Sequence, residues 1–221
     1  MAMDWQHVVG MQVLSHIAER LKDLHKAGYV HRDIKPANIM WLPRTKRWKL
    51  LDFGCAAQTY THARTGFSLF YAAPEVLRAY LGGAGGLEAT EALDAWSLGV
   101  LAIELLTGKP VFDHMRPKEE VPIRSALFHS DCVYACMEVM RDGGGHRVCV
   151  GVCMQTIEMI LGDRLAPWED PETARELLRP LGIFKTGVLR LIDRDPAQRS
   201  SIPMFQQACL RSLANTSITA T

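Results

Sequence analysis

Four polar side chains crowd into one short stretch of this chain. Asp33, Lys35 and Asn38 lie within a few residues of each other around Pro36, and Asp52 follows two short apolar runs later. Proline fixes φ and pushes its predecessor out of helical geometry, so residues 33–38 read as a rigid loop. The runs Ile39-Met40-Trp41-Leu42 and Trp48-Lys49-Leu50-Leu51 flank a basic turn and predict a hairpin. That hairpin would return Asp52 to the side of Asn38. Two carboxylates, an amide and an ammonium would then share a small volume. Hard oxygen ligands of this kind suit Mg²⁺ held together with substrate phosphates. A lysine beside them would neutralise a phosphoryl group in transfer.

His31-Arg32-Asp33-Ile34-Lys35-Pro36-Ala37-Asn38, followed across the hairpin by Asp52-Phe53-Gly54, resembles the catalytic loop and Mg²⁺ loop of eukaryotic protein kinases. A lone Asp-Phe-Gly would be weak evidence; both motifs in order are far more specific. The resemblance implies that Asp33 orients a substrate hydroxyl and accepts its proton. It implies that Asn38 and Asp52 hold Mg²⁺, that Lys35 contacts the γ-phosphate of ATP, and that His31, Phe53 and Gly54 are structural. Lysine two places after the aspartate resembles the serine/threonine branch. Met40 matches the floor on which adenine lies, with Leu101 and Leu105 expected beneath it.

The elements that must position these groups are legible on either side. Val9, Val13, Ile17, Leu21 and Leu24 recur at helical spacing and predict a helix from Trp5 to Ala27, stopped by Gly28. It is similar to the long helix that leads into the kinase catalytic loop. Leu93 to Thr107 is apolar nearly all round, the mark of a buried helix, and Gly108 and Pro110 end it. Asp94-Ala95-Trp96-Ser97-Leu98-Gly99 resembles the kinase central helix, which implies that Asp94 anchors the backbone of His31 and Arg32. A buried carboxylate needs such partners, because desolvation is otherwise costly.

Cys55 to Ala72, closed by Ala73-Pro74-Glu75, resembles the activation segment. Thr59, Tyr60, Thr61, Thr65 and Ser68 supply hydroxyls there. The resemblance places Ser68 where a threonine contacts the positions of Asp33 and Lys35, and Phe67 where glycine is usual. Arg32 would receive a phosphate carried by this segment, since guanidinium pairs with phosphate bidentately. The basic residue often found after Asp-Phe-Gly is missing, with Ala57 and Gln58 in its place. Gly82 to Gly86 reads as a flexible inserted loop without the continuation of a phosphate cradle. Asp193-Arg194-Asp195-Pro196-Ala197-Gln198-Arg199 resembles the end of a kinase domain and implies an ion pair between Arg199 and Glu75. Further helices are expected at 155–161, 172–178, 183–192 and 202–214.

Composition sets the outer bounds. The chain has 221 residues, 48% of them hydrophobic, with a net charge of +1. That suffices for one sizeable core and gives no reason to expect a nucleic-acid partner. No apolar run reaches membrane-spanning length, and the first residues lack the pattern of a signal peptide. A cytoplasmic or nuclear protein with its six cysteines reduced is the expectation. Residues 111–152, rich in proline, glycine and charge, read as an insertion, and 215–221 as a disordered tail. Cys132, Cys136, Cys149 and Cys153, with His129 and His146 nearby, have enough thiols for tetrahedral zinc, but the spacing is looser than in zinc knuckles and cysteine is also a small buried hydrophobe. No zinc is expected.

The expected fold is mainly α: a protein-kinase-like large lobe over residues 1–214, a helical bundle with short β-hairpins at its catalytic edge. No glycine-rich loop, strand lysine or helix glutamate is found, so the N-terminal lobe is read as absent and the chain as a fragment of impaired activity. The expected function is Mg-ATP-dependent phosphorylation of protein Ser/Thr hydroxyls, with a small lobe or partner supplied from elsewhere. The alternative is a non-catalytic, kinase-derived binding module.

Overall fold

The computed structural model describes residues 5–112 and 155–218, and it is mainly helical. Helix α1 (Trp5–Lys26) leads into strand β1 (Tyr29–Val30) through Gly28, whose φ of 83° lets the chain reverse. The hairpin β2 (Ile39–Leu42) and β3 (Arg47–Leu50) follows. Then come β4 (Ala57–Gln58), β5 (His62–Arg64), helix α2 (Pro74–Leu81), β6 (Gly86–Glu88) and helix α3 (Glu91–Thr107). The other described α-helices are α4 (described over 155–161), α5 (Pro171–Leu177), α6 (Lys185–Leu191) and α7 (Ile202–Ile218). Among the described residues, no helix is long and apolar enough to cross a membrane.

Helix α3 is the hub. Leu93 to Ile103 is buried without a break, and Leu106 is buried as well. A helix this apolar can only be stable when packed on all sides. Helices α1 and α6 supply much of the packing: α1 lies against both α3 and α7, and α6 against α3. At Gly99 a side chain could not be accommodated. A Cβ there would lie 2.6 Å from Ile192 Cγ2 and 2.9 Å from Leu191 Cβ. Glycine therefore sets how closely α3 and the end of α6 approach. The buried face of α1 is wider than the apolar spacing predicts. Met11, Leu14, Ser15, Ala18 and His25 are buried along with Val13, Ile17 and Leu21, whereas Leu24 is only partly covered.

Among the described residues, three antiparallel pairs of short strands lie along the loops. In the β2–β3 hairpin Ile39 opposes Leu50 and Trp41 opposes Trp48, whose rings sit 5.3 Å apart. β1 pairs with β4, and β5 with β6. The last pairing moves one end of the expected 82–86 loop: residues 82–85 are exposed and outside the strands, whereas Gly86 belongs to β6. Gly86 opposes Arg64 and is buried. A Cβ at 86 would meet the Ala63 carbonyl oxygen at 2.5 Å, so the glycine lets β5 approach this closely.

Two other boundaries move. Val111 and Phe112, expected to open an insertion, are core residues; Phe112 lies 5.9 Å from Trp168 and 6.1 Å from Phe70, ring to ring. The rest of the expected insertion, with Cys132, Cys136, Cys149, Cys153, His129 and His146, lies outside the described residues. The last helix runs to Ile218, past the Ala214 end expected from the sequence; 219–221 lie outside.

Candidate active site

The loop between β1 and β2 is held from below by one carboxylate. Asp94, fully buried at the start of α3, accepts the backbone N–H of His31 at 2.9 Å and that of Arg32 at 2.7 Å. His25 Nε2 adds a third contact at 2.8 Å. Arg32 has φ of 71°, a left-handed conformation that costs energy for a residue with a Cβ. The two charge-assisted bonds to Asp94 offset that cost. His25 was not singled out as a site residue in the sequence. Its place beside Leu24, one turn before the loop, was the available signal.

His31 is also fully buried, and its tautomer follows from its partners. The Leu51 carbonyl can only accept, so Nε2 donates to it at 3.0 Å; Nδ1 is then free to accept the Asp33 N–H at 3.3 Å. The Phe53 ring packs edge-on to His31 at 5.0 Å while remaining half exposed. The hairpin does what its sequence predicts: the Leu51 N–H donates to the Asn38 carbonyl at 2.8 Å, setting Asp52 one residue beyond.

Above this base, four polar side chains interlock. Lys35 Nζ lies 2.7 Å from Asp33 Oδ2 and donates to Ser68 Oγ at 2.9 Å. Ser68 Oγ donates to Asp33 Oδ1 at 2.8 Å. Asn38 Nδ2 donates to Asp33 Oδ2 at 3.0 Å and to the Asp33 carbonyl at 2.8 Å. Lys35, Asn38 and Ser68 are buried, so these bonds act in a medium where they are stronger than in water. The activation-segment serine thus meets the two loop residues that the resemblance assigned to it.

Asp52 stands apart from this cluster. It is exposed, has φ of 57°, and its Oδ1 accepts the Gly54 N–H at 3.1 Å. The Asn38 amide nitrogen is spent on Asp33, which leaves Oδ1 for a cation. An amide oxygen and an exposed carboxylate carried on adjoining strand ends are the donor types that Mg²⁺ takes. The residues present therefore fit Mg²⁺ held with phosphates.

Arg32 is engaged differently from expectation. Nη1 donates to the Cys55 carbonyl at 3.0 Å, and Nη2 makes a short bond to the Arg64 carbonyl. Burial holds its pKa below the usual value against the opposing pull of Cys55 and Asp94. Its guanidinium thus already clamps both ends of the activation segment's first half. Thr65, the neighbouring candidate, donates its N–H to the Gly85 carbonyl at 3.4 Å. Burial, reinforced by the Asp33 and Asp52 carboxylates and opposed by Arg32 and Lys35, pushes the Cys55 thiol up.

Met40 is exposed, while Leu101 and Leu105, expected beneath it, line an open cavity of about 580 Å³ with Ile39, Val13 and Trp48. Adjacent residues of a strand face opposite ways, so the cavity takes Ile39 and excludes Met40.

The distant pair is formed as expected. Arg199 Nη1 and Nη2 reach Glu75 Oε1 and Oε2 at 2.6 and 2.8 Å. A second arginine network went unnoticed in the sequence. Arg194 pairs with Glu169 and donates to the carbonyls of Met159 and Ile160 at the end of α4. No spacing rule links those positions, which meet only through the fold.

Comparison with known proteins agrees with this geometry. The protein kinase domain family matches residues 5–148. Mitogen-activated protein kinase 12 of Danio rerio is 38% identical over 106 residues, 46% of this chain and 27% of that protein. Aurora kinase of Schizosaccharomyces pombe is 39% identical over 109 residues, 48% of this chain and 28% of its own length. Serine/threonine-protein kinase Kist of Homo sapiens is 34% identical over 142 residues, 59% of this chain and 33% of that protein. The aligned part is thus about a third or less of each relative's length. With a match over well more than half its residues, and with Asp33, Lys35, Asn38 and Ser68 assembled as described, the chain belongs to the protein kinase domain family.

Proposed function

We propose that this chain carries the phosphate- and substrate-facing half of a serine/threonine protein kinase, transferring the γ-phosphate of ATP to protein hydroxyls. The observation that supports this best is the closed Asp33–Lys35–Ser68 triangle with Asn38 at its edge. Asp33 presents a carboxylate whose orientation is fixed by three donors, as a group that positions a hydroxyl and takes its proton must be. Lys35 places its ammonium beside that carboxylate, where charge builds on a transferring phosphoryl group. Asn38 Oδ1 and the Asp52 carboxylate are the groups that would hold Mg²⁺; bound Mg-ATP supplies the phosphoryl group and neutralises its charge. Met40 offers an apolar surface for a purine. Met40, Trp41 and Phe53 are all exposed near this edge, which suits coverage by a small lobe or partner contributed from elsewhere.

The test is radiolabel transfer from ATP to a serine/threonine peptide library, using this chain alone and joined to a donor small lobe. Asp33→Asn should lower kcat by about 10²–10⁴-fold with nucleotide affinity nearly unchanged. Asp52→Asn should instead weaken Mg-ATP binding. Transfer that is indifferent to Asp33, or absent from both forms, would overturn the reading.

A further inference from the structure

A cleft between α6 and α7 shares no residue with the Asp33 cluster. Its volume is about 300 Å³. That is the lower end of the range for small-molecule sites and suits one or two side chains better than a nucleotide. Gly187 adds no side chain to the cleft, and a Cβ there would meet nothing nearer than Phe205 Cδ2 at 3.8 Å.

The two walls carry the same series of residues. Ile183, Gly187 and Arg190 lie at i, i+4 and i+7 on the turn into α6 and along it. Met204, Ala208 and Arg211 lie at i, i+4 and i+7 along α7. Each wall therefore presents a large aliphatic, a small residue and an arginine on one helical face. The aliphatics are strongly exposed, Ile183 at 82% and Met204 at 62%. Among the described residues, no Asp or Glu lines the cleft. Among the described residues, neither Arg190 nor Arg211 takes part in an ion pair, whereas the neighbouring Arg194 and Arg199 are both matched to glutamates. Among the described residues, the cleft thus combines apolar walls with two guanidinium groups that no carboxylate matches.

We infer that this cleft docks an acidic peptide segment of a partner protein. One bulky apolar side chain of the peptide enters between Ile183 and Met204 above Gly187, and its carboxylates pair with Arg190 and Arg211. Guanidinium matches carboxylate in a two-bond fork, and arginine clusters are a recurrent means of reading acidic motifs. The inference is independent of the phosphotransfer reading, since no residue of one serves the other.

The experiment uses the whole chain and displayed peptide libraries of about twelve residues, with fixed Glu positions around a randomised centre, beside matched libraries carrying Gln or Lys. The Glu library should enrich Leu, Phe, Met or Trp at its centre. Its best peptide, labelled and titrated by fluorescence anisotropy, should bind at least about tenfold more tightly than its Gln version. Arg190→Glu combined with Arg211→Glu, both at exposed positions, should abolish that binding and favour the Lys version. Gly187→Leu, which fills the cleft and keeps both arginines, should also weaken it. Failure of the Glu library to enrich, equal binding of the Glu and Gln peptides, or binding unchanged by the arginine reversal would overturn the inference. So would a preference for phosphatidylserine vesicles over the best peptide, lost on the same reversal.

Discussion

Arg199 grips Glu75 in a two-bond fork across 124 residues of sequence. Its remaining donors reach the carbonyls of Asp193 at 2.7 Å and Ala92 at 2.8 Å, and its guanidinium lies 5.2 Å over the Trp96 ring. With Arg199 only 1% exposed and Glu75 at 22%, the pair ties the end of the activation segment to the α3 helix and the chain that follows α6. Arg199→Met should cost about 3–5 kcal/mol, because a mostly buried carboxylate loses its partner. Arg199→Lys should recover less than half, since an ammonium cannot make the fork. Urea unfolding midpoints measure both. A loss below about 1 kcal/mol in Arg199→Met would show that the pair contributes no more than an ordinary surface contact.

Ser68 should be replaceable by threonine and not by alanine. Its hydroxyl donates to Asp33 and accepts from Lys35, so Ser68→Ala removes one bond from each member of the proposed catalytic pair. In phosphotransferase assays on a form carrying a small lobe, kcat should fall by about tenfold or more, matching a net bond loss of about 1–1.5 kcal/mol. Ser68→Thr should stay within about threefold of the parent. Equal rates for Ala and Thr would remove Ser68 from the positioning role.

Asp94→Asn keeps the shape and loses an acceptor. Three donors converge on two carboxylate oxygens, and an amide offers one. At least one buried N–H is left unmatched, at a cost of about 1–3 kcal/mol. Hydrogen exchange at the amides of His31 and Arg32 should speed up in this variant before that of the α3 amides. Unchanged exchange at those two sites would mean that the loop is held by something else.

Glu19 provides a pH test. Burial raises its pKa, but Arg20 and Arg47 outweigh it, and the net shift is downward. The Arg47 Nη1 to Glu19 Oε2 distance is 2.6 Å. A carboxylate lowered in the fold stabilises above its unfolded pKa, and that contribution is lost as pH falls through the folded value. The parent should therefore exceed Glu19→Gln in stability at neutral pH, with the gap closing in acid. Both partners are partly exposed, so the gap should stay under about 1 kcal/mol. A gap that widened on acidification would contradict the assignment.

Cys209 should be inert until the protein unfolds. It is fully buried on α7, and burial pushes its thiol up to about 12. The thiolate is the reactive form. Iodoacetamide at neutral pH followed by peptide mapping should leave Cys209 unmodified in the native chain and fully modified in denaturant. Rapid native labelling would show that α7 opens more readily than its packing implies.

Some of this was legible without coordinates and some was not, for physical reasons. The β2–β3 hairpin follows from two apolar runs around a basic turn, so the closeness of Asp52 and Asn38 is written locally. The Asp94 anchor and the Glu75–Arg199 pair join distant segments, and only motif resemblance reached them. The β5–β6 pairing was missed because three-residue strands carry too little periodicity to detect, and five residues drawn from glycine and alanine look like a turn. The run Ile39-Met40-Trp41-Leu42 is apolar throughout, so it does not say by itself which of its residues shares a cavity with Leu101 and Leu105; in the fold Ile39 does.

The β5–β6 pairing completes a circuit through the chain. Arg32 bonds to the Arg64 carbonyl, Arg64 opposes Gly86 in the strand pair, and the chain runs from Glu88 into α3, where Asp94 bonds back to the Arg32 N–H. Closing the 62-residue gap between Arg32 and Asp94 in one step would carry the full loop-closure entropy. Once β5 and β6 are paired, the gap is bridged in shorter spans, and each remaining link forms at lower entropic cost. Each link in turn is weakened when another opens. The segment that bears β5, the loop that bears Asp33 and the first turn of the hub helix therefore order and melt as one cooperative unit.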